Sequence, residues 1–305
     1  MSRASDRMVV AGFTVGWSAV RRMPEGAAYA MFERLADISW RKRGKGVTRL
    51  EHNLDRALGG LPEKELRELS RAGMRSYMRY YCDAFRMPGW SDERLATRFT
   101  LENYERLHVA LAEGKGAIVS LPHSGNWDHA GAWAAAEYGG VTTVAERLKP
   151  EELFEKFVKF RRARNIEVLP HAGGDVPVSA IFSQRLREGK LVAFLGDRDL
   201  SDRGIEMNYL GGISKLPTGP AALAVDTGAP LFPGTLWYSK ENGMGHIHEP
   251  LVVPQEGDRA ERIRIVTENL ARVFEQGVRD HPEDWHMLSR VYVDQPRGQE
   301  GRAPA

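Results

Sequence analysis

Apolar positions fall into two textures along this 305-residue chain, and the change comes near residue 112. Up to that point they recur at three- and four-residue spacing, which predicts helices. Pro24 and Glu25 start one that runs through Tyr29, Met31, Phe32, Leu35 and Ile38 to Trp40. Val47 to Leu58 repeats the spacing and stops at Gly59-Gly60. Pro62 takes a first-turn position, where its missing N–H costs nothing, and Leu66, Leu69, Met74, Tyr77 and Tyr81 follow to Phe85. Ser91-Asp92-Glu93 reads as another helix start, and Tyr104 to Glu113 as a short helix closed by Gly114.

From Gly116 onward, short apolar runs alternate with helical ones. Gly116–Ser120, Val141–Ala145, Ile166–Leu169, Leu191–Gly196, Ala229–Tyr238 and His246–Leu251 read as strands. Pro150–Asn165, Val176–Glu188, Pro217–Thr227 and Arg259–Arg279 read as helices. Strands that are apolar throughout are buried on both faces, as in a parallel sheet covered by helices. The pattern therefore predicts an α/β fold. It is read as one domain over residues 1–293, with a mainly parallel central sheet flanked by helices on both faces. Within it, 1–112 form a helical subregion and 113–293 the α/β core; 294–305, rich in Gly, Pro and charge, form a disordered tail.

Composition narrows the class only a little. An apolar fraction of 42% and a charged fraction of 28% suit a soluble or peripheral globular protein. The net charge of +2 decides nothing, but basic runs at 21–22, 41–45 and 161–164 suit anionic lipid surfaces or phosphorylated ligands, and solvated helix faces equally. No nucleic-acid partner is expected. The single cysteine, Cys82, excludes an intrachain disulfide and fits a reducing compartment. No segment reaches the roughly 20 apolar residues of a spanning helix. The nearest, Met8 to Val20, is flanked by Arg3, Arg7, Arg21 and Arg22. Arginines stand where a cleavage site needs small residues, so an interfacial or groove-covering helix fits better than a cleaved signal.

The candidate chemistry sits at predicted strand ends, where an open α/β sheet places its ligands. Leu121-Pro122-His123-Ser124-Gly125-Asn126-Trp127-Asp128 joins a buried strand to a small-residue helix. Two readings stay open. His123 is a general base with Asp128 fixing its tautomer and the Gly125 amide holding an oxyanion; or His123 is a satisfied strand-end histidine, with Ser124, Asn126 and Asp128 as ordinary caps. Asp197-Arg198-Asp199 follows another strand and reads either as a metal-holding pair of carboxylates or as a loop salt bridge. Glu146 and Arg147, beyond the strand from Val141, suit substrate contacts or a solvated helix entrance. Arg161, Arg162 and Arg164 suit a phosphate clamp or plain surface solvation. Met207, Tyr209, Leu210 and Ala221 to Ala224 read as core ahead of an acyl tunnel lining.

His123-Ser-Gly-Asn-Trp-Asp128 resembles the histidine–four residues–aspartate motif of the glycerolipid and lipid A acyltransferase superfamily. Thr143 to Glu151, Glu167 to Pro170, Asp197 to Leu200, Gly219-Pro-Ala, Thr227 to Pro233 and Pro282 to Leu288 narrow it. Together these segments are similar to the actinobacterial phosphatidylinositol mannoside acyltransferase branch over nearly the whole chain. The resemblance implies a peripheral enzyme on the cytoplasmic face of the plasma membrane. It would transfer a long, palmitoyl-type chain from acyl-CoA to a mannose 6-hydroxyl of a phosphatidylinositol mannoside. It implies His123 as base, Asp128 as its partner, no metal, and no cofactor beyond acyl-CoA as co-substrate. Asp197 falls where the resemblance would place a glutamate working beside the histidine, so it is one methylene shorter than expected. Arg161, Arg203 and Asp226 match or fall near positions implied in acyl-CoA binding, with Asp226 again replacing a glutamate. Rival readings are another lipid or lipid A-type O-acyltransferase, a metal-dependent glycosyltransferase using Asp197 and Asp199, and a lipid-binding protein.

Overall fold

The buried runs of the second half pair side by side, as their uniform apolarity requires. In the computed structural model, which describes residues 16–145, 158–170, 176–199 and 203–293, seven strands form one sheet in the order β1-β9-β8-β2-β5-β3-β4. These are β1 (Phe99–Glu102), β2 (Ala117–Leu121), β3 (Val141–Ala145), β4 (Ile166–Pro170), β5 (Leu191–Leu195), β8 (Leu231–Tyr238) and β9 (Gly243–Ile247). β8, β2, β5, β3 and β4 run parallel, whereas β9 turns back antiparallel to β8 and carries β1 on its far edge. The mainly parallel α/β sheet read from the sequence is thus present, with one reversed edge.

Both faces are covered. Along β2, Ala117, Val119 and Leu121 pack with α6 (Trp127–Tyr138) and α5 (Glu105–Ala112), while Ile118 packs with α7 (Val178–Arg187) and α8 (Gly219–Thr227). The long α9 (Arg259–Asp280) lies on that second face, with Ile263 and Val266 in the same core. Helices α1 (Glu25–Arg41), α2 (Lys45–Ala57) and α3 (Glu63–Arg86) precede the sheet; α4 (Asp92–Thr97) leads into β1. Leu50, Leu54 and Met74 share a core with Phe274 of α9 and with Trp285, which ties the helical subregion to the sheet.

Four strands depart from the sequence reading, one of them by a shift: β9 spans Gly243–Ile247 rather than His246–Leu251. Phe99–Glu102 is a strand inside the stretch read as helical, held by pairing with β9. Ile205–Tyr209 (β6) and Gly212–Leu216 (β7) form a separate hairpin. Its two-residue loop, Leu210-Gly211, has φ of 48° and 78°, the positive pair that a type I′ turn demands. A leucine rarely takes that conformation, so the usual Asn-Gly or Asp-Gly signal is missing. Met8 to Val15, Pro150 to Phe157 and the tail from Asp294 lie outside the described residues. Among the described residues no helix is long and apolar enough to cross a membrane.

Candidate active site

Strand register builds the site. β2 and β5 pair in parallel with Leu121 opposite Leu195, and the Gly196 amide still donates to the Leu121 carbonyl at 2.8 Å. Two residues beyond this leucine pair stand His123 and Asp197. The Asp197 carboxylate meets His123 twice: Oδ1 lies 2.5 Å from the ring Nδ1, and Oδ2 accepts the His123 backbone N–H at 2.9 Å. Oδ2 also accepts the indole N–H of Trp285 at 3.1 Å. Burial pushes the Asp197 carboxyl up, but the His123 charge and these three donors outweigh it and hold the carboxyl below its ordinary value. An ionised Asp197 keeps the His123 proton on Nδ1 and leaves the Nε2 lone pair for substrate.

The turn that carries His123 is fixed by glycine. Gly125 has φ of 56°, and a Cβ there would lie 2.8 Å from the Trp237 amide nitrogen. Only a residue without a side chain lets the turn pass so close over β8. Asn126 then caps α6, accepting the His129 N–H at 3.0 Å.

Asp128 does not hold His123. Its Oδ1 pairs with Arg161, 2.8 Å from Nε and 2.7 Å from Nη2, and its Oδ2 accepts the Tyr80 hydroxyl at 2.7 Å. The Tyr80 hydroxyl is raised well above its ordinary pKa, by burial and by the Asp128 charge, so it stays a donor. Arg161 is likewise raised: burial opposes its charge, and Asp128 more than restores it. Sequence spacing assigned Asp128 to the histidine; the structure gives that place to Asp197, because an aspartate in the first turn of α6 faces α3 and the arginine. Nor does Gly125 offer an oxyanion donor, since its amide is spent on the Asp284 carbonyl at 3.0 Å.

His123, Asp128, Arg161 and Arg198 line a cavity of about 590 Å³. Its walls are apolar and sit between the sheet and α6: Val119 and Leu121 of β2, Ala193 of β5, and Ala130, Gly131 and Ala134 of the helix. Arg198 makes no hydrogen bond or ion pair among the described residues. Thus the only cavity-lining cations among those residues are one neutralised by Asp128 and one left open.

The other candidates fall elsewhere. Asp226 forms a two-pronged pair with Arg259, 2.7 Å at both contacts, joining α8 to α9 on the opposite face of the sheet. Arg203 is exposed on the approach to β6, away from the cavity lining. Arg164 reaches Asp92 at 2.6 Å and Arg162 is exposed, so the three arginines make no common clamp. Asp199 accepts the Gly204 amide at 2.8 Å, and neither it nor Asp197 falls in a cluster of three or more metal-ligating side chains among the described residues. Glu146 and Arg147 lie outside the described residues. Met207, Tyr209, Leu210 and Ala221 to Ala224 are core and do not line the cavity. The missed contributor is Trp285, which the Pro282 to Leu288 resemblance touched without giving it a role.

A bacterial lipid A biosynthesis acyltransferase family model matches residues 4–293. The chain belongs to that family. It is also 38% identical over 282 residues to a phosphatidylinositol mannoside acyltransferase of Mycolicibacterium smegmatis, covering 92% of this chain and 90% of that protein. A Mycobacterium tuberculosis protein of the same name is 40% identical over 283 residues, covering 92% and 87%. The chain is therefore an acyltransferase.

Proposed function

We propose that the chain transfers a long acyl chain from acyl-CoA to a mannose 6-hydroxyl of a phosphatidylinositol mannoside. The observation that carries this reading is the His123–Asp197 pair, whose histidine lines the apolar cavity. The acyl chain lies in the cavity, with its thioester at His123. Nε2 of His123 takes the proton of the sugar hydroxyl as that oxygen attacks the thioester carbon. Asp197 stabilises the imidazolium so formed. Arg198, the open cation of the described lining, faces the negative charge that develops on the carbonyl oxygen. Collapse breaks the carbon–sulfur bond, and the imidazolium returns its proton to the leaving thiolate. The thioester is already activated, so no acyl-enzyme is needed.

The names of the mycobacterial relatives support the glycolipid acceptor. An acyl-CoA donor and an anionic acceptor place the enzyme peripherally, at the cytoplasmic face of the plasma membrane. Leu35 and Ile38 of α1, 44% and 45% exposed beside the basic run at 41–45, suit such a surface. Mass spectrometry of products from purified protein, palmitoyl-CoA and a phosphatidylinositol mannoside tests the assignment. Acylated glycolipid should appear with the wild type and vanish with His123→Ala. Product formed equally by that variant sinks the reading.

A further inference from the structure

Three consecutive residues after α9 grip the reactive turn from outside the His–Asp motif. The Asp284 carbonyl accepts the Gly125 amide at 3.0 Å, and the His286 amide donates to the His123 carbonyl at 2.8 Å. Between them Trp285, fully buried, pairs as a bridge with Ser124 and donates its indole N–H to Asp197. The segment is itself anchored. The Asp284 carboxylate accepts the Tyr238 amide at 2.8 Å and the Ser76 hydroxyl. That same hydroxyl lies 2.8 Å from the His286 Nε2.

A carboxylate on one methylene can turn about its last bond, and only one setting aims Oδ1 at the imidazole. Asp197 is held in that setting by two donors on Oδ2: the His123 amide and a rigid indole wedged in the core. A tryptophan chosen for bulk alone would need any acceptor for its N–H. This one uses the carboxylate that serves the base.

We propose that Trp285 is a positioning residue for the His123–Asp197 pair, with Asp284 and His286 as its mount on β8 and α3. For its kinetic consequence this role rests on the acyl-transfer reading; the hydrogen bond does not. Trp285→Phe keeps the aromatic bulk and loses the N–H. With palmitoyl-CoA and a phosphatidylinositol mannoside, kcat should fall about 10-fold, a typical loss for a hydrogen bond to a charged group, with KM for both substrates unchanged. In an Asp197→Asn background the same change should cost nothing further. Equal losses in both backgrounds would make Trp285 a packing residue and overturn the proposal.

The second readout needs no substrate. The Nδ1 proton of His123, identified by its disappearance in His123→Ala, should resonate far downfield and move upfield in Trp285→Phe. An unmoved resonance overturns the role. A moved resonance in a protein that makes no acylated glycolipid would keep Trp285 and discard the substrate assignment. If Trp285→Phe loses its near-ultraviolet circular dichroism, Ser76→Ala, which loosens the mount, takes its place. Unchanged kcat and an unmoved proton there overturn the proposal equally.

Discussion

Asp128 gives its carboxylate to Arg161 rather than to His123, with Oδ1 2.8 Å from Nε. Both side chains are largely buried, at 7% and 17% exposure, so each neutralises a charge the interior would otherwise reject. The two aspartates therefore separate by partner, Asp197 holding His123 and Asp128 holding Arg161 in the wall of the cavity.

That separation is measurable. Asp197→Asn removes the charge opposite the imidazolium and should lower kcat by roughly 10²–10⁴, the range of a general base's contribution, with little change in KM and some loss of stability, because the amide turns an N–H toward donors that the carboxylate accepted. Asp128→Asn strands the Arg161 charge and should cost about 3 kcal/mol of unfolding free energy, with the smaller loss in kcat. Steady-state kinetics and urea titration of both variants decide it. An Asp128→Asn protein as stable as wild type but as slow as Asp197→Asn would return Asp128 to the base.

Arg198→Gln removes the open cation of the described cavity lining while leaving a polar side chain. The turn amides of His123 and Gly125 already serve Asp197 and Asp284, so they cannot take over its task. Its loss should lower kcat about 100-fold, as for removal of an oxyanion donor, with acyl-CoA binding intact. A raised KM for acyl-CoA at unchanged kcat would show instead that the guanidinium holds a phosphate.

Gly131 is the thinnest point of the wall that α6 gives the cavity. A Cβ there would meet only Ile166 Cδ1, at 3.7 Å. Gly131→Ala should be accepted and should stabilise the helix by up to about 1 kcal/mol. Gly131→Leu projects into the cavity and should shift preference toward shorter acyl-CoA donors. Competition among donors of graded length, read by mass spectrometry, checks this; an unchanged length profile would move the acyl chain out of this cavity.

The alternation of apolar runs was enough to read most of the sheet and its helices, because parallel strands buried on both faces have nowhere to put polar residues. It could not show β1, four residues long and dependent on β9, nor the β6–β7 hairpin, whose turn uses a leucine at positive φ. Within the site, His123 and Asp197 were legible as strand-end residues. Their pairing was implied only by the family resemblance, which set Asp197 beside the histidine; local spacing could not show it, because it depends on the register of β2 with β5. Asp128 misled for the opposite reason: it is near His123 in sequence, but α6 turns it toward partners 48 and 33 residues away.

Acid stability follows from histidines and carboxyls that burial shifts in opposite directions. Burial lowers His129 to about 4, with the Arg94 charge adding to it against the bond to the Leu95 carbonyl, and burial lowers His286 to about 3. Unfolded, each has a pKa near ~6.5. Between about 6.5 and 4 the unfolded chain therefore binds more protons than the native one, so their contribution is full above the unfolded value and shrinks as pH falls. Asp284 acts in the other sense. Burial raises it to about 6, so the native state holds an extra proton from there down to the ordinary carboxyl range, and its contribution is lost as pH rises through that window. His248, lowered to about 4 by burial and by the His246 and Arg106 charges, acts with the two histidines, and Asp83, raised by burial, acts with Asp284, which leaves a net loss on the order of 1 kcal/mol per pH unit on acidification between about 6 and 4. Urea unfolding at about pH 7, 6 and 5, chosen to span the window, should show that slope. His129→Gln should be less stable at neutral pH and should lose roughly 1.4 kcal/mol per pH unit of the wild-type slope below about 6. A variant that keeps the full wild-type slope would mean that His129 takes up its proton while still folded.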